Sequence, residues 1–408
     1  MARPHRPSLP AAALVAGSVT LAVLLAEIML RLVYPIGAIA YRLDERHFQE
    51  YVPNASKVVR RLPVNGGDRI TVGINGDGFR GRAIEIPKPA GRRRILVYGD
   101  SYVAAEFSDL VHTFPAQLEQ RLSAARAGLV EVVNAGVPGA GPDQVARRLP
   151  ADMQRLQPEL VLLVIAAHND FGDLIRNRIY RLDERGVLVD NPYVIDATLR
   201  QRFEQTPFSQ LAIAGLLRAG WRGMSGRLGL AADDEPALPT GGGPTRLDRE
   251  LRVVQGEYER FVVQRDQRVR TVLVDRYDAD VSLLPTSPSA RYKTALMQAV
   301  VGRIRDLVRA RGAALLVVAI PSPYAFELVP ELRVDRVRYP LSDPAAATTA
   351  IAAAASRQGI EVVDLYETMA VSDPSTLYFE QDTHWNDRGQ ARAAAVVGER
   401  ILRAGLLP

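Results

Sequence analysis

Hydrophobic positions follow three different rhythms along the chain. Residues 11–26 run without a charge, and after Glu27 the apolar character resumes through Ile28, Met29 and Leu30, then continues past Arg31 to Tyr34. From 35 to 90 neither a helical nor a strand period is sustained, and turn chemistry recurs at Asn65-Gly66-Gly67 and Asn75-Gly76-Asp77-Gly78. That stretch reads as an extended, strand-poor lead-in. Beyond it, short β-branched runs at 95–99, 130–134 and 160–166 alternate with helical spacing at 113–127 and 142–156. Phe114, Leu118 and Leu122 share one face of the first of these helices.

The alternation breaks after Asp170 for roughly 120 residues, longer than a loop of a compact domain, and so predicts an insertion over about 171–290 with elements of its own. Within it, 208–230 is an apolar helix with Arg218, Arg222 and Arg227 on one side, and 233–246 is a Pro/Gly/acid tip. The rhythm then resumes with a long helix at 289–311, a strand at 313–320, an alanine-rich helix at 344–357, a strand at 360–365 and a closing helix at 386–403. A β-α-β order of this kind predicts an α/β fold: a three-layer α/β/α sandwich around a five-stranded parallel sheet. The expected organisation is an N-terminal segment over 1–34, the lead-in over 35–90 and one domain over 91–408 carrying the insertion.

Composition narrows the function classes. With 408 residues, 47% hydrophobic and 24% charged, the chain can bury a large core. It has no cysteine, which excludes disulfides, thiolate metal sites and a cysteine nucleophile. The net charge is +5, but the basic residues are interleaved with acids and do not cluster with aromatics, so nucleic acid is not an expected partner. His5, His47, His112, His168 and His384 are too scattered for metal-ligand spacing, and neither a metal nor an organic cofactor is expected. Arg3 and Arg6 precede the apolar run, which marks it as a signal anchor with the rest of the chain outside the membrane. A cleaved signal ending at Ala26 is the alternative, but Leu24 stands where a small residue is wanted. In a bacterium the expected location is the inner membrane, single-pass, with the domain in the periplasm or on the cell surface.

Polar groups gather just after the predicted strands. Gly99-Asp100-Ser101 follows the first, Asn134 to Gly139 the second, Asn169-Asp170 the third, and Asp382-Thr383-His384-Trp385 lies beyond the fifth. In an open parallel sheet the carboxyl ends of the strands share one edge, so these distant residues converge. A serine becomes a nucleophile when a histidine takes its proton and a carboxylate orients that histidine. Charge developing on the attacked carbonyl then needs N–H donors, a task suited to Gly139 and Asn169. For the orienting carboxylate the sequence leaves Asp382 and Asp364 open.

At these residues the chain resembles the SGNH (GDSL-type) hydrolase family. The resemblance spans residues 95–403, excluding the insertion, and implies a flavodoxin-like sheet, Ser101 as nucleophile, His384 as base and Asp382 as its orienting acid. It also implies an oxyanion hole from Ser101 N–H, Gly139 and Asn169. Two positions depart from the family pattern: Ala167 replaces a glycine, and the last block is Asp-x-His, where Asp-x-x-His is usual. The Asp-x-His-Trp element and Gly78-Phe79-Arg80-Gly81 resemble membrane-linked members of exopolysaccharide acetylation. The expected activity is therefore serine-dependent hydrolysis or transfer of an acyl group on an extracytoplasmic carbohydrate, with Trp385 as a candidate sugar-stacking residue. A lipid or small-ester esterase, and a non-catalytic polysaccharide-binding or scaffold module, are the alternatives.

Overall fold

The structure, a computed structural model, describes residues 9–33, 41–125, 129–204, 213, 245–272, 274, 276–382 and 384–407. The predicted apolar helix at 208–230, apart from Ile213, and the tip up to residue 244 lie outside the described residues.

A helix of 25 residues, α1 (Leu9–Val33), opens the described chain. At 1.5 Å per residue it is about 37 Å long, and residues 13–30, with mean hydropathy 2.2, are long and apolar enough to cross a membrane. Most of that surface is exposed, as at Leu14, Val15 and Met29, whereas Glu27 is buried and accepts a hydrogen bond from Ile213 N at 3.1 Å.

The lead-in is not strand-poor. It forms two antiparallel pairs, β1 (Tyr41–Asp44) with β2 (Phe48–Tyr51), and β3 (Ser56–Arg60) with β4 (Arg69–Gly73). Each strand has only four or five residues and carries charges among its apolar positions, so no alternation long enough to read is present. Their apolar side chains Tyr51, Ile70, Val72 and Ile74 pack on Val137 and Ala140, which belong to the loop after the second core strand. The lead-in thereby buttresses one wall of the site described below.

The domain then alternates as the spacing predicts: β5 (Arg93–Tyr98), α2 (Ser101–Ala104), α3 (Phe114–Ala125), β6 (Val130–Asn134), α4 (Pro142–Leu156), β7 (Leu160–Ala166) and α5 (Asp170–Asn177). Small elements follow: β8 (Tyr180–Leu182), β9 (Leu188–Asp190), β10 (Val194–Ile195), α6 (Ala197–Phe203), α7 (Arg246–Tyr258), β11 (Arg268–Val269) and α8 (Ala279–Leu283). The regular order returns with α9 (Pro288–Arg309), β12 (Ala314–Ile320), α10 (Ala346–Arg357), β13 (Glu361–Asp364), α11 (Tyr366–Met369) and α12 (Asp387–Arg403). Where the sequence reading starts the insertion, α5 leads straight on from β7, and its eight residues are all buried.

The five strands form one sheet in the order β13-β12-β7-β5-β6, and every neighbouring pair is parallel. This is a flavodoxin-like order, with the reversal of strand sequence between β7 and β5. All seven residues of β7 are buried, as expected of a central strand covered on both faces. Side chains alternate between the two layers. Ile95 and Val97 meet Phe114 and Leu118 of α3 and Val397 of α12, whereas Leu96 and Tyr98 meet Leu149 and Met153 of α4.

Candidate active site

The site is built at the reversal between β5 and β7, where the flanking connections run to opposite faces and leave a crevice. β5 ends at Tyr98, and the chain turns at once into α2. That turn requires glycine: a Cβ on Gly99 would lie 2.6 Å from Val103 Cγ2. Asp100 caps the new helix by accepting from Tyr102 N at 2.9 Å, which leaves Ser101 as its first residue. On the other side of α2, a Cβ on Gly136 would stand 2.5 Å from Ala104 N. Asn134 fixes this approach, accepting from Gly136 N at 3.1 Å and donating from Nδ2 to Val103 O at 2.9 Å.

Ser101 Oγ lies 2.7 Å from His384 Nε2, and His384 Nδ1 lies 2.6 Å from Asp382 Oδ1. The structure thus brings together serine, histidine and carboxylate from opposite ends of the sequence in one hydrogen-bonded file. Asp364 does not take part in that file: it accepts from the backbone N–H of Tyr366, the first residue of α11, at 2.9 Å. The short Asp-x-His spacing works through a local turn. Gln381 adopts the left-handed region (φ 58), and Asp382 Oδ1 accepts both the His384 backbone N–H, at 2.8 Å, and the ring. The His384 and Asp382 side chains are 18% and 22% exposed, open enough for proton exchange with solvent. The imidazole is flanked by the rings of Tyr102 and Phe107, with centroids 5.4 and 5.7 Å away.

Ser101, Gly139, Asn169 and His384 line one cavity of about 200 Å³, whose apolar walls include Phe107 and Val274. Gly139 is left-handed (φ 70), and neither its backbone N–H nor that of Ser101 has a hydrogen-bond partner among the described residues. Asn169 precedes α5, and its Nδ2 donates to Asp173 Oδ2 at 3.0 Å, which fixes the plane of the amide. The three sequence-predicted oxyanion donors therefore share a cavity with Ser101 Oγ, the arrangement a tetrahedral oxyanion needs.

Trp385 lines the same cavity but is 1% exposed, and its indole packs against Tyr102 with ring centroids 5.1 Å apart, so little of the ring is open to a sugar. Phe107, half-buried, presents a more exposed aromatic ring on the same cavity wall. Sequence reasoning also missed the work of Arg80 within Gly78-Phe79-Arg80-Gly81. Its buried guanidinium donates to Ala104 O and Ala105 O, both at 2.5 Å, and to Ser108 O at 2.6 Å, holding the carbonyls at the end of the serine helix. Glu106, on the cavity wall, is held in turn by the hydroxyls of Tyr41 and Tyr51, each at 2.6 Å.

Behind Asn169 lies a buried ionic cluster. Asp173 Oδ1 accepts from Arg176 at 2.9 Å, and Arg176 also donates to Asn169 O at 3.0 Å. Asp278 Oδ2 accepts from Gly172 N at 2.6 Å, and Lys293 Nζ stands 3.0 Å from both Asp278 and Asp280. Burial alone would lower the Lys293 pKa, but the two carboxylates reverse this and raise it. Burial pushes Asp170 well above the usual carboxylate range, with Asp100 and Asp173 adding to the shift, and burial lifts Asp143 to about 7.

Among the described residues one cluster has metal-ligand composition, Asp44, His47 and Glu50. Asp44 faces His47 Nδ1 at 3.0 Å while Glu50 faces Nε2 at 3.3 Å, so the ring bridges the two carboxylates from its two nitrogens.

The sheet order and the strand-end site are those expected of an SGNH hydrolase-like fold. Residues 279–407 match the family model described as SGNH hydrolase-like domain, acetyltransferase AlgX. No curated protein matches the chain. Among solved structures it is similar to TesA, at 16% identity over 77% of this chain and 100% of that one, with a TM-score of 0.35. It is also similar to the esterase EstA from Pseudoalteromonas sp. (14% identity, 76% and 98% covered, TM-score 0.35). A third is Est24, a carbohydrate acetylesterase from Sinorhizobium meliloti (10% identity, 77% and 100% covered, TM-score 0.33).

Proposed function

We propose that the protein is a serine-dependent enzyme that removes or transfers a short acyl group, acetyl above all, on an extracytoplasmic carbohydrate. The observation that carries this reading is the file Ser101 Oγ, His384, Asp382, with links of 2.7 and 2.6 Å, opening on a cavity that also holds Gly139 and Asn169. In the reaction, His384 Nε2 takes the Ser101 proton as Oγ bonds to the ester carbonyl carbon. Asp382 stabilises the imidazolium, and the Ser101, Gly139 and Asn169 N–H groups receive the oxyanion. Collapse of the tetrahedral species breaks the ester C–O bond, and His384 hands the proton to the departing alcohol. Water or a sugar hydroxyl then attacks the acyl-serine by the same steps in reverse.

The carbohydrate part of the reading is supported by the match to an acetyltransferase family model and by the closeness of Phe107 to the histidine. The location is supported by α1, which we read as an uncleaved anchor. A phosphonate that reacts with activated serines tests the chemistry: native protein is labelled and turns over acetylated glycans, and Ser101→Ala does neither. Labelling of Ser101→Ala at the native rate would overturn the assignment. Preference for acyl chains of about eight carbons, each methylene gaining about 0.8 kcal/mol on burial, would replace the carbohydrate reading by a lipid esterase. Sequencing of the mature amino terminus checks the anchor, which predicts that residues before 27 are retained.

A further inference from the structure

Among the described residues Arg178 is a buried cation that forms no ion pair, although the Asp266 carboxylate attracts it from across a shared cavity. It closes α5 in the left-handed region (φ 57), a place where glycine is favoured because a Cβ crowds the backbone. The conformation is held by Asn191, whose Nδ2 donates to Arg178 O at 3.0 Å. The residue is 5% exposed, its guanidinium stacks 3.8 Å from the Phe261 ring centroid, and Nη1 donates to Arg176 O at 2.7 Å. Its Nε has no hydrogen-bond partner among the described residues. A buried charge in that state is unfavourable unless something pairs with it.

Arg178 lines a cavity of about 240 Å³ together with Arg181, Arg265 and the phenol of Tyr292. Among the described residues none of these three arginines forms an ion pair. Carboxylates are present on the walls, and Asp266 attracts Arg178, but none of them is in ion-pair contact with the three arginines. Asp183 Oδ1 accepts from Arg185 N and Val187 N at 2.9 and 2.8 Å, and Asp266 is bound to Arg260 Nε at 2.9 Å and Arg268 N at 3.0 Å. Glu184 is exposed at the rim. This cavity shares no lining residue with the one at Ser101, and along α5 it lies about 13 Å from Asn169 at 1.5 Å per residue.

We propose that this second cavity binds the carboxylate or phosphate of a sugar-sized anion, with Arg178 as the buried anchor and Arg181 and Arg265 closing on it from the rim. Guanidinium groups suit either ligand because their forked N–H donors match two oxygens at once. The ring of Tyr292 offers a surface for the body of such a ligand, and its hydroxyl a polar contact. The site is separate from the ester chemistry and stands or falls independently of it.

Thermal melts of the full-length protein in detergent test the proposal, using inorganic phosphate, glucose 6-phosphate and glucuronate, with chloride at matched ionic strength as the control. At least one of the three should raise Tm beyond chloride, and which of them does so distinguishes phosphate from carboxylate as the recognised group. Arg181→Gln and Arg265→Gln should each weaken the apparent affinity about tenfold, and Arg178→Gln should abolish the shift. Phosphonate labelling of Ser101 at the native rate in each variant shows that the fold is retained. If Arg178→Gln does not fold, the two rim variants decide the matter. A shift no larger than that of chloride for all three anions, or one unchanged in both rim variants, would overturn the proposal.

Discussion

Asn169 stands between two charged regions that use their charge in opposite ways. On its cavity side, Ser101, His384 and Asp382 form a single file whose histidine and carboxylate are partly exposed. His384 links Ser101 and Asp382 through its two ring nitrogens, and solvent can exchange protons with the exposed pair. On its inner side, Asp173, Arg176, Asp278, Asp280 and Lys293 are buried and share partners in a closed network. The file is arranged for a proton to move along it, whereas the network is arranged so that nothing moves. Asn169 belongs to both, lining the cavity while its amide is held by Asp173.

The comparison breaks most visibly at the file itself. Replacing Ser101 or His384 by Ala should lower turnover by ~10⁴-fold or more, and the double variant should be scarcely worse, because such residues act as a unit. Asp382→Asn should fall short of that loss. Neither rate nor phosphonate labelling should track Tm in this series, since all three side chains lie at the rim of the domain. Additive losses in the double variant would mean that serine and histidine do not share one step.

In the network the order of effects reverses, with stability first. Lys293→Met removes the cation between Asp278 and Asp280 and leaves two buried carboxylates facing each other, a change of about 3–5 kcal/mol. Denaturant melts at neutral pH measure it directly. A Tm within a degree of native would show that the cluster is not the rigid support described here.

How much of this was open to sequence reasoning differs between the two regions for a physical reason. Ser101, Asn134, Gly139 and Asn169 sit at the ends of strands whose β-branched runs are easily read, and all five strands and their flanking helices appear within a few residues of their expected bounds. The ionic cluster was not legible. Asp278 and Lys293 are separated from Asp173 by a stretch with no regular period, and charged residues in such a stretch look like solvated surface until the fold buries them. The lead-in failed for a related reason. Its short strands gain their stability from Val137 and Ala140, which are distant in sequence, and not from a period of their own. Arg80 was visible as part of a motif, but its three carbonyl partners on and after α2 exist only once the chain has folded.

A smaller effect sharpens the point where network and file meet. Asp173→Ala frees the Asn169 amide without removing it, so kcat should fall about tenfold to a hundredfold, less than the loss of an oxyanion donor outright. KM should stay near native, because the ground-state carbonyl makes little demand on that donor. Asp173→Asn, whose amide oxygen still accepts from Asn169, should recover most of the rate. A rise in KM with kcat unchanged would assign Asp173 to substrate binding and separate it from the oxyanion donors.

The smallest effect concerns Asp143, at the edge of the network beside Asn177. Burial lifts its pKa from 3.8 to about 7 in the folded chain. Asn177 Nδ2 and Gln144 N both donate to Oδ1, at 3.0 and 2.9 Å, while Oδ2 has no partner among the described residues. Between about pH 4 and 7 the folded state therefore keeps a proton that the unfolded chain has lost. Its stabilising contribution is complete below the unfolded pKa and is lost as pH rises through the folded one, with a slope of at most about 1.4 kcal/mol per pH unit. Asp143→Asn keeps the shape and removes the titration, so its stability should depend less steeply on pH across that window, the remaining slope belonging to groups such as Asp170. Urea melts at pH 4.5 and 7 measure the difference, and equal slopes in native and variant would show that Asp143 is ionised when folded and that the network reaches no further than Asp173.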